Sequence, residues 1–208
     1  MNTSDLELEV KFFLSRRKAM QVKLEQLGQV IAPRVHEVNL RFDTPDFSLT
    51  SSGRLLRLRQ DSRARVTYKG MGSVKGGARL RQELEFTVSD FETARKLFEA
   101  LGYQVYTMYE KFRTTYQLKD VEVVLDELPI GDFLEIEGPD SRSIREAYSR
   151  LELYWDRRIL ESYTVLFERL RQEMGFTFRD LSFTNFEGIT VNPSKMGIII
   201  GDQSSLGS

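Results

Sequence analysis

Glu7-Leu8-Glu9-Val10-Lys11 lies in the first patterned stretch of the 208-residue chain, Leu6 to Leu14. Successive side chains of an extended strand point to opposite faces. Two acids and a base, Glu7, Glu9 and Lys11, therefore share one face, while Leu8, Val10 and Phe12 share the other. Strict alternation predicts a strand with one buried apolar face. Whether the charged face meets bulk water or an enclosed space depends on the rest of the chain.

The same alternation recurs downstream. Arg57 and Arg59 share a face opposite Leu56 and Leu58. Arg65, Thr67 and Lys69 oppose Val66 and Tyr68. Arg79, Arg81, Glu83 and Glu85 oppose Leu80, Leu84 and Phe86. Lys111 pairs with Arg113, Asp126 with Glu122, and Glu135 with Glu137. An ordinary solvated sheet face carries more Thr, Ser, Gln and Lys than repeated Glu and Arg doublets.

Between these strands lie amphipathic helices. Ser15 is placed to cap a helix reaching Leu27, with Gly28 closing it. Ser89 with Glu92 forms a capping box for Phe91 to Leu101, whose Ala94, Leu97, Phe98 and Leu101 make a buried stripe. Further helices are expected from Ser141 to Leu151 and from about Glu161 to Met174. The remaining strands are Val35–Phe42, ended by the turn Asp43-Thr44-Pro45-Asp46, then Tyr103–Gln117, Val121–Leu128 and Phe133–Glu137. The glycine-rich Gly70–Ala78 reads as a flexible hairpin loop; it lacks the Gly-Lys-Ser/Thr ending of a phosphate-binding P-loop. Short turns within each strand group favour antiparallel pairing.

The expected fold is α+β: a closed eight-stranded antiparallel β-barrel, or tunnel, with helices packed outside. Helices on the outside require apolar strand faces outward and charged faces inward. So many enclosed ions are costly without partners. A polyanion with its metal ions would supply them. Residues 1–175 form the expected domain. Residues 176–208 form a C-terminal tail, loosely held beyond Gly188 or packed on the barrel.

Composition narrows the function. No cysteine is present, which excludes a disulfide framework, a thiolate zinc site and a cysteine nucleophile, and suits a reducing cytoplasm. His36 is the sole histidine, which argues against a multi-His zinc site and a Ser-His-Asp hydrolase. It reads as a surface residue. A net charge of −1 and a pI of about 6 predict no nucleic-acid partner. No run is long and apolar enough to predict a membrane span, and no signal peptide is visible. Trp155 and the Tyr148/Leu151 stripe read as core packing.

These residues, in this order, resemble the CYTH superfamily, also called triphosphate tunnel metalloenzymes. Glu7-Leu8-Glu9-Val10-Lys11 resembles its opening signature and Phe42-Asp43-Thr44-Pro45 its turn after the second strand. Leu56-Arg57-Leu58-Arg59 resembles its paired-arginine strand, and Thr67-Tyr68-Lys69-Gly70 its lysine strand. Arg81-Gln82-Glu83-Leu84-Glu85 is similar to its Glu-x-Glu strand and Lys111-Phe112-Arg113 to its basic pair. The runs Val124–Leu128 and Gly131–Gly138 resemble its closing acidic hairpin. The resemblance implies that Lys11, Arg57, Arg59, Lys69 and Arg113, with Arg81 and Lys111, grip a triphosphate. It implies that Glu7, Glu9, Glu83, Glu85, Asp126, Glu135 and Glu137 surround one or two Mg²⁺ or Mn²⁺ ions. Glu9, Glu85 and Lys11 are the expected catalytic residues. The implied activity is metal-dependent hydrolysis of inorganic triphosphate or a small organic triphosphate. The alternatives are a class IV adenylyl cyclase making cyclic AMP and pyrophosphate, and a non-catalytic polyphosphate-binding module. A monomer or homodimer in the cytoplasm is expected.

Overall fold

The computed structural model describes residues 6–203. The first five residues of the expected domain and the last five of the expected tail lie outside them. The chain runs β1 (Leu6–Leu14), α1 (Arg17–Leu27), β2 (Gln29–Asp43), α2 (Ser48–Ser51), β3 (Leu55–Gln60), β4 (Ala64–Lys69), β5 (Ser73–Lys75) and β6 (Ala78–Val88). It continues through α3 (Phe91–Ala100), β7 (Gln104–Leu118), β8 (Val121–Leu128), β9 (Gly131–Glu137), α4 (Ser141–Arg150) and α5 (Tyr163–Met174).

All strands join one antiparallel sheet in the order β1-β9-β8-β7-β2-β3-β4-β6-β5, and β1 also pairs with β6. This corrects the closed eight-stranded barrel expected from the sequence. The sheet has nine strands, because Gly70–Ala78 is not a plain loop: it contains β5, which pairs only with β6. Moreover, β1 meets β6 through just four residue pairs, Leu6↔Gln82 to Glu9↔Arg79. Among the described residues, the rest of β6 from Glu83 pairs only with β4. The fold is a nine-stranded antiparallel sheet wrapped around a charged cavity, with helices outside.

The apolar strand faces point outward, as the alternation requires. Leu8, Val10 and Phe12 of β1 join Val123, Leu125, Leu134 and Ile136 under α1 and α4. Each such side chain contributes about 1.5–3 kcal/mol on leaving water. A second cluster gathers Phe133, Leu166, Phe167 and Leu170 with the C-terminal Leu181, Phe186 and Met196. A third places α3 against Phe42, Leu58 and Val66. No helix is long and apolar enough to cross a membrane among the described residues.

Three local expectations change. Asp90, not Ser89, caps α3, accepting from the Thr93 amide at 2.6 Å. That helix buries Ala94 and packs Phe98 edge-on against Phe42, but Leu97 and Leu101 stay exposed. Its contact stripe is narrower than its apolar stripe. Ser15 does not cap α1; its amide and hydroxyl instead donate to Asp202, each at 2.9 Å, and the Arg16 amide donates to the other Asp202 oxygen at 2.9 Å. The described tail is therefore clasped onto β1 rather than loosely held. Gly201 donates to the Phe13 carbonyl at 2.7 Å, and a Cβ there would lie 2.9 Å from that of Phe12. This close approach needs glycine.

Asp202→Ala removes the acceptor for three donors. It is expected to lower the urea-unfolding free energy by about 1–3 kcal/mol. An unchanged midpoint and slope would show that the clasp contributes nothing.

Candidate functional site

The inward strand faces enclose a cavity of about 440 Å³. Of the residues singled out from the sequence, β1 supplies Glu7, Glu9 and Lys11, and β3 Arg57 and Arg59. Lys69 comes from β4, Arg81, Glu83 and Glu85 from β6, Lys111 and Arg113 from β7, and Glu135 and Glu137 from β9. Cross-strand register sets their neighbours: Arg57 stands beside Thr67, Lys69 beside Glu83 and Lys11 beside Glu135.

Asp126 is the exception. Expected among the metal carboxylates, it is fully buried and does not line the cavity. Its carboxylate accepts from Arg113 Nε at 2.7 Å and Nη2 at 2.6 Å, from Lys111 Nζ at 2.9 Å and from the Tyr163 hydroxyl at 2.9 Å. Those bonds occupy its oxygens from behind the wall.

Most cations are already matched by acids. Lys11 Nζ lies 2.6 Å from Glu135, and Arg113 bonds Glu135 at 2.7 Å. Burial alone would raise the Glu135 carboxyl, but Lys11 and Arg113 hold it well below the usual range. Lys69 bonds both Glu7 and, at 2.8 Å, Glu83. Arg57 donates to the Tyr109 hydroxyl at 3.2 Å and Thr67 at 3.0 Å, with Glu85 at 3.7 Å. Its buried Nε has no hydrogen-bond partner among the described residues.

Several cavity residues lie outside the site expected from the sequence, although Arg65, Arg79 and Glu122 were already placed on its charged strand faces. Glu37 of β2 is buried between Arg59 at 3.3 Å and Lys111 at 3.5 Å. Its burial would raise the carboxyl, but Lys111, Arg113 and Arg59 push it strongly down. Arg41, also on β2, lines the cavity, as do Arg65, Arg79, Tyr109 and Glu122. The β2 alternation Glu37-x-Asn39-x-Arg41-x-Asp43 was the available signal. Ser162, Tyr163 and Thr164 at the start of α5 close one side, with Lys11 Nζ 4.6 Å from the Tyr163 ring centre. Nothing in a helix pattern marks those three.

Three carboxylates stand apart. Glu9, Glu137 and Glu122 are successive cross-strand neighbours on β1, β9 and β8. None makes an ion pair or hydrogen bond among the described residues. Enclosure at the rim, and next the charge of Glu7, push the Glu137 carboxyl up to about 8. Such hard oxygen donors without an ion-pair partner among the described residues suit Mg²⁺ or Mn²⁺. As placed, however, no three Asp, Glu or His side chains converge into a ready-made metal site among the described residues.

A CYTH domain family profile matches residues 5–147, more than two thirds of the chain. The chain belongs to the CYTH family. A Methanocaldococcus jannaschii relative, provisionally named an adenylate cyclase, is 28% identical over 64% of this chain and 76% of its own. The solved PH1012 protein of Pyrococcus horikoshii is 30% identical, with a TM-score of 0.65, covering 76% of this chain and 96% of that one. A Hippeastrum protein, HpAC1, shares the fold over 93% of this chain and all of its own, at 17% identity and a TM-score of 0.55.

Asp126→Asn keeps the shape but removes the charge facing Lys111 and Arg113. It is expected to destabilise the protein by about 3–5 kcal/mol, the range for breaking a buried ion pair. Chemical denaturation checks this, and a loss below about 1 kcal/mol would contradict the role given to Asp126.

Proposed function

We propose that this protein turns over a triphosphate in the charged cavity together with Mg²⁺ or Mn²⁺, and that the substrate is ATP, cyclised to cyclic AMP with release of pyrophosphate. The observation that carries the reading is the wall itself: ten cationic and seven acidic side chains face one enclosed space. A site for simple anion capture would not need the acids, so a non-catalytic polyphosphate-binding module is disfavoured. The name of the Methanocaldococcus jannaschii relative favours cyclisation.

Arg57, Arg59, Lys69, Arg81, Lys111, Arg113 and Lys11 would bind the non-bridging phosphate oxygens, the guanidinium groups in bidentate fashion. The unpartnered Nε of Arg57 offers one such donor. Glu9, Glu137 and Glu122, with Glu7 and Glu85 nearby, would hold the divalent cation, which when bound offsets charge between carboxylates and phosphates and polarises the phosphoryl oxygens. Glu9 would accept the proton of the ribose 3′-hydroxyl. The 3′-oxygen then bonds to the α-phosphorus, the bond from that phosphorus to the β-bridging oxygen breaks, and pyrophosphate leaves with its charge met by the basic side chains.

Hydrolysis of inorganic triphosphate or a small organic triphosphate is the second reading. One observation favours it: among the described residues, the only aliphatic side chains lining this cavity are Leu55 and Val124, so its wall recognises phosphate better than a base. Glu9 or Glu85 would then orient a water toward the terminal phosphorus.

Incubation with ATP and with inorganic triphosphate, each with Mg²⁺ or Mn²⁺, is expected to give cyclic AMP and pyrophosphate from ATP. Orthophosphate without cyclic AMP would replace the first reading by the second. Glu9→Gln is expected to lower turnover roughly 10²–10⁴-fold at an unchanged melting temperature. Full activity in that variant would remove Glu9 from the chemistry.

A further inference from the structure

Among the described residues, three cavity cations, Arg41, Arg79 and Arg81, have no ion pair; Arg79 and Arg81 donate to backbone carbonyls, and Arg41 does not. Arg41 stands beside Arg57 across the β2–β3 pairing and is 8% exposed. It has no carboxylate within ion-pair distance among the described residues; its guanidinium donates to the Thr164 hydroxyl. A buried cation held by one neutral hydroxyl is poorly compensated.

Thr164 also lines a second cavity of about 220 Å³. Phe47, Tyr106 and Arg179 line that cavity too. The Phe47 and Tyr106 rings meet edge to face, 5.5 Å between centres, and the Arg41 guanidinium lies 5.9 Å from the Tyr106 ring. Arg41 thus reaches from the phosphate-sized cavity to an aromatic one. Arg171, at its rim, is spent on Glu168 at 2.8 Å, whereas Arg179 has no side-chain partner among the described residues.

Phe47 is unusual in two ways. Its φ is 58°, a left-handed conformation costly for a bulky residue, and the residue is 41% exposed. The turn is fixed without the ring. Asp43 accepts from the Thr44, Leu49 and Thr50 amides at 2.8–2.9 Å, and the Thr44 carbonyl accepts from the Phe47 amide at 2.9 Å. Glycine or asparagine would suit that backbone better. Neither turn chemistry nor core packing calls for phenylalanine there, whereas stacking on a flat ligand does.

We propose that the second cavity takes the base of a nucleoside triphosphate, stacked on Phe47 or Tyr106, with the ribose passing Thr164 and the adjoining phosphate on Arg41. Arg179 offers donors to acceptor atoms on the base edge. Arg41 exchanges a neutral hydroxyl for a phosphate oxygen, a stronger charge-assisted bond. The inference rests on the reading of the main cavity as a triphosphate site, and it deepens that reading by assigning the second cavity, with Phe47, Tyr106 and Arg179, to the base.

The test uses two ligands that resist turnover, ATP and inorganic triphosphate with methylene groups at both bridging positions. Each is titrated calorimetrically with Mg²⁺ into wild type, Phe47→Gly and Arg179→Ala. Phe47→Gly deletes the ring while relieving the backbone. The expected result is roughly tenfold weaker binding of the ATP analogue to Phe47→Gly, a severalfold loss in Arg179→Ala, and unchanged binding of the triphosphate analogue. Unchanged ATP-analogue binding in both variants, or equal losses for both ligands, would overturn the base site while leaving the triphosphate site standing. Failure of wild type to bind either ligand would overturn both.

Discussion

One buried carboxylate, that of Asp126, holds Lys111, Arg113 and Tyr163 together behind the cavity wall. An ion out of water is tolerated only when partnered, and each partner here is itself partnered. Arg113 continues to Glu135, Glu135 to Lys11, and Lys111 to Glu37 and on to Arg59. The chain of contacts joins β1, β2, β3, β7, β8 and β9. Charged residues that would be mere decoration on an outer surface therefore fix the relative placement of most of the sheet.

The same constraint explains what surrounds the cavity. Charged faces turned inward leave apolar faces turned outward, and these need cover. α1 and α4 cover β1, β8 and β9. α5 and the C-terminal residues pack instead on the inward face, against Phe13, Tyr109, Leu128 and Phe133, and α5 inserts Tyr163 where its hydroxyl completes the Asp126 cluster. The Asp202 clasp on Ser15 and Arg16 ties the tail to the strand that carries Glu7, Glu9 and Lys11. Segments far from the charged motifs thus anchor the end of the strand that bears them.

Much of this was legible in the sequence, because period-2 alternation is local and strand faces follow from it directly. The inward charges of β1, β3, β4, β6 and β9 were readable that way. The burial of Asp126 was not readable, because alternation gives a face but not a depth. Arg41 and Glu37 were missed although their strand alternates too, since Asn39 and the apolar start of β2 dilute the charge. Sheet closure was overstated. Strand count and the extent of β1–β6 pairing depend on β5, a three-residue strand hidden among glycines, and on register across distant segments. The tail was illegible for another reason: Phe176, Phe178 and Phe186 pack on one another without any sequence period.

With acids and bases holding one another in the cavity, the proposed triphosphate would meet cations already paired except at Arg41, Arg79 and Arg81, while the proposed divalent ion would meet carboxylates already paired except at Glu9, Glu122 and Glu137 among the described residues. Each ligand loosens the pairs that oppose the other, so the two should bind with positive linkage. Calorimetric titration of methylene-bridged triphosphate, without divalent metal and with saturating Mg²⁺, measures this directly. Tightening of at least about tenfold with metal, roughly 1.4 kcal/mol of coupling, is the predicted result. Equal affinity with and without metal would contradict a self-paired cavity that opens to both.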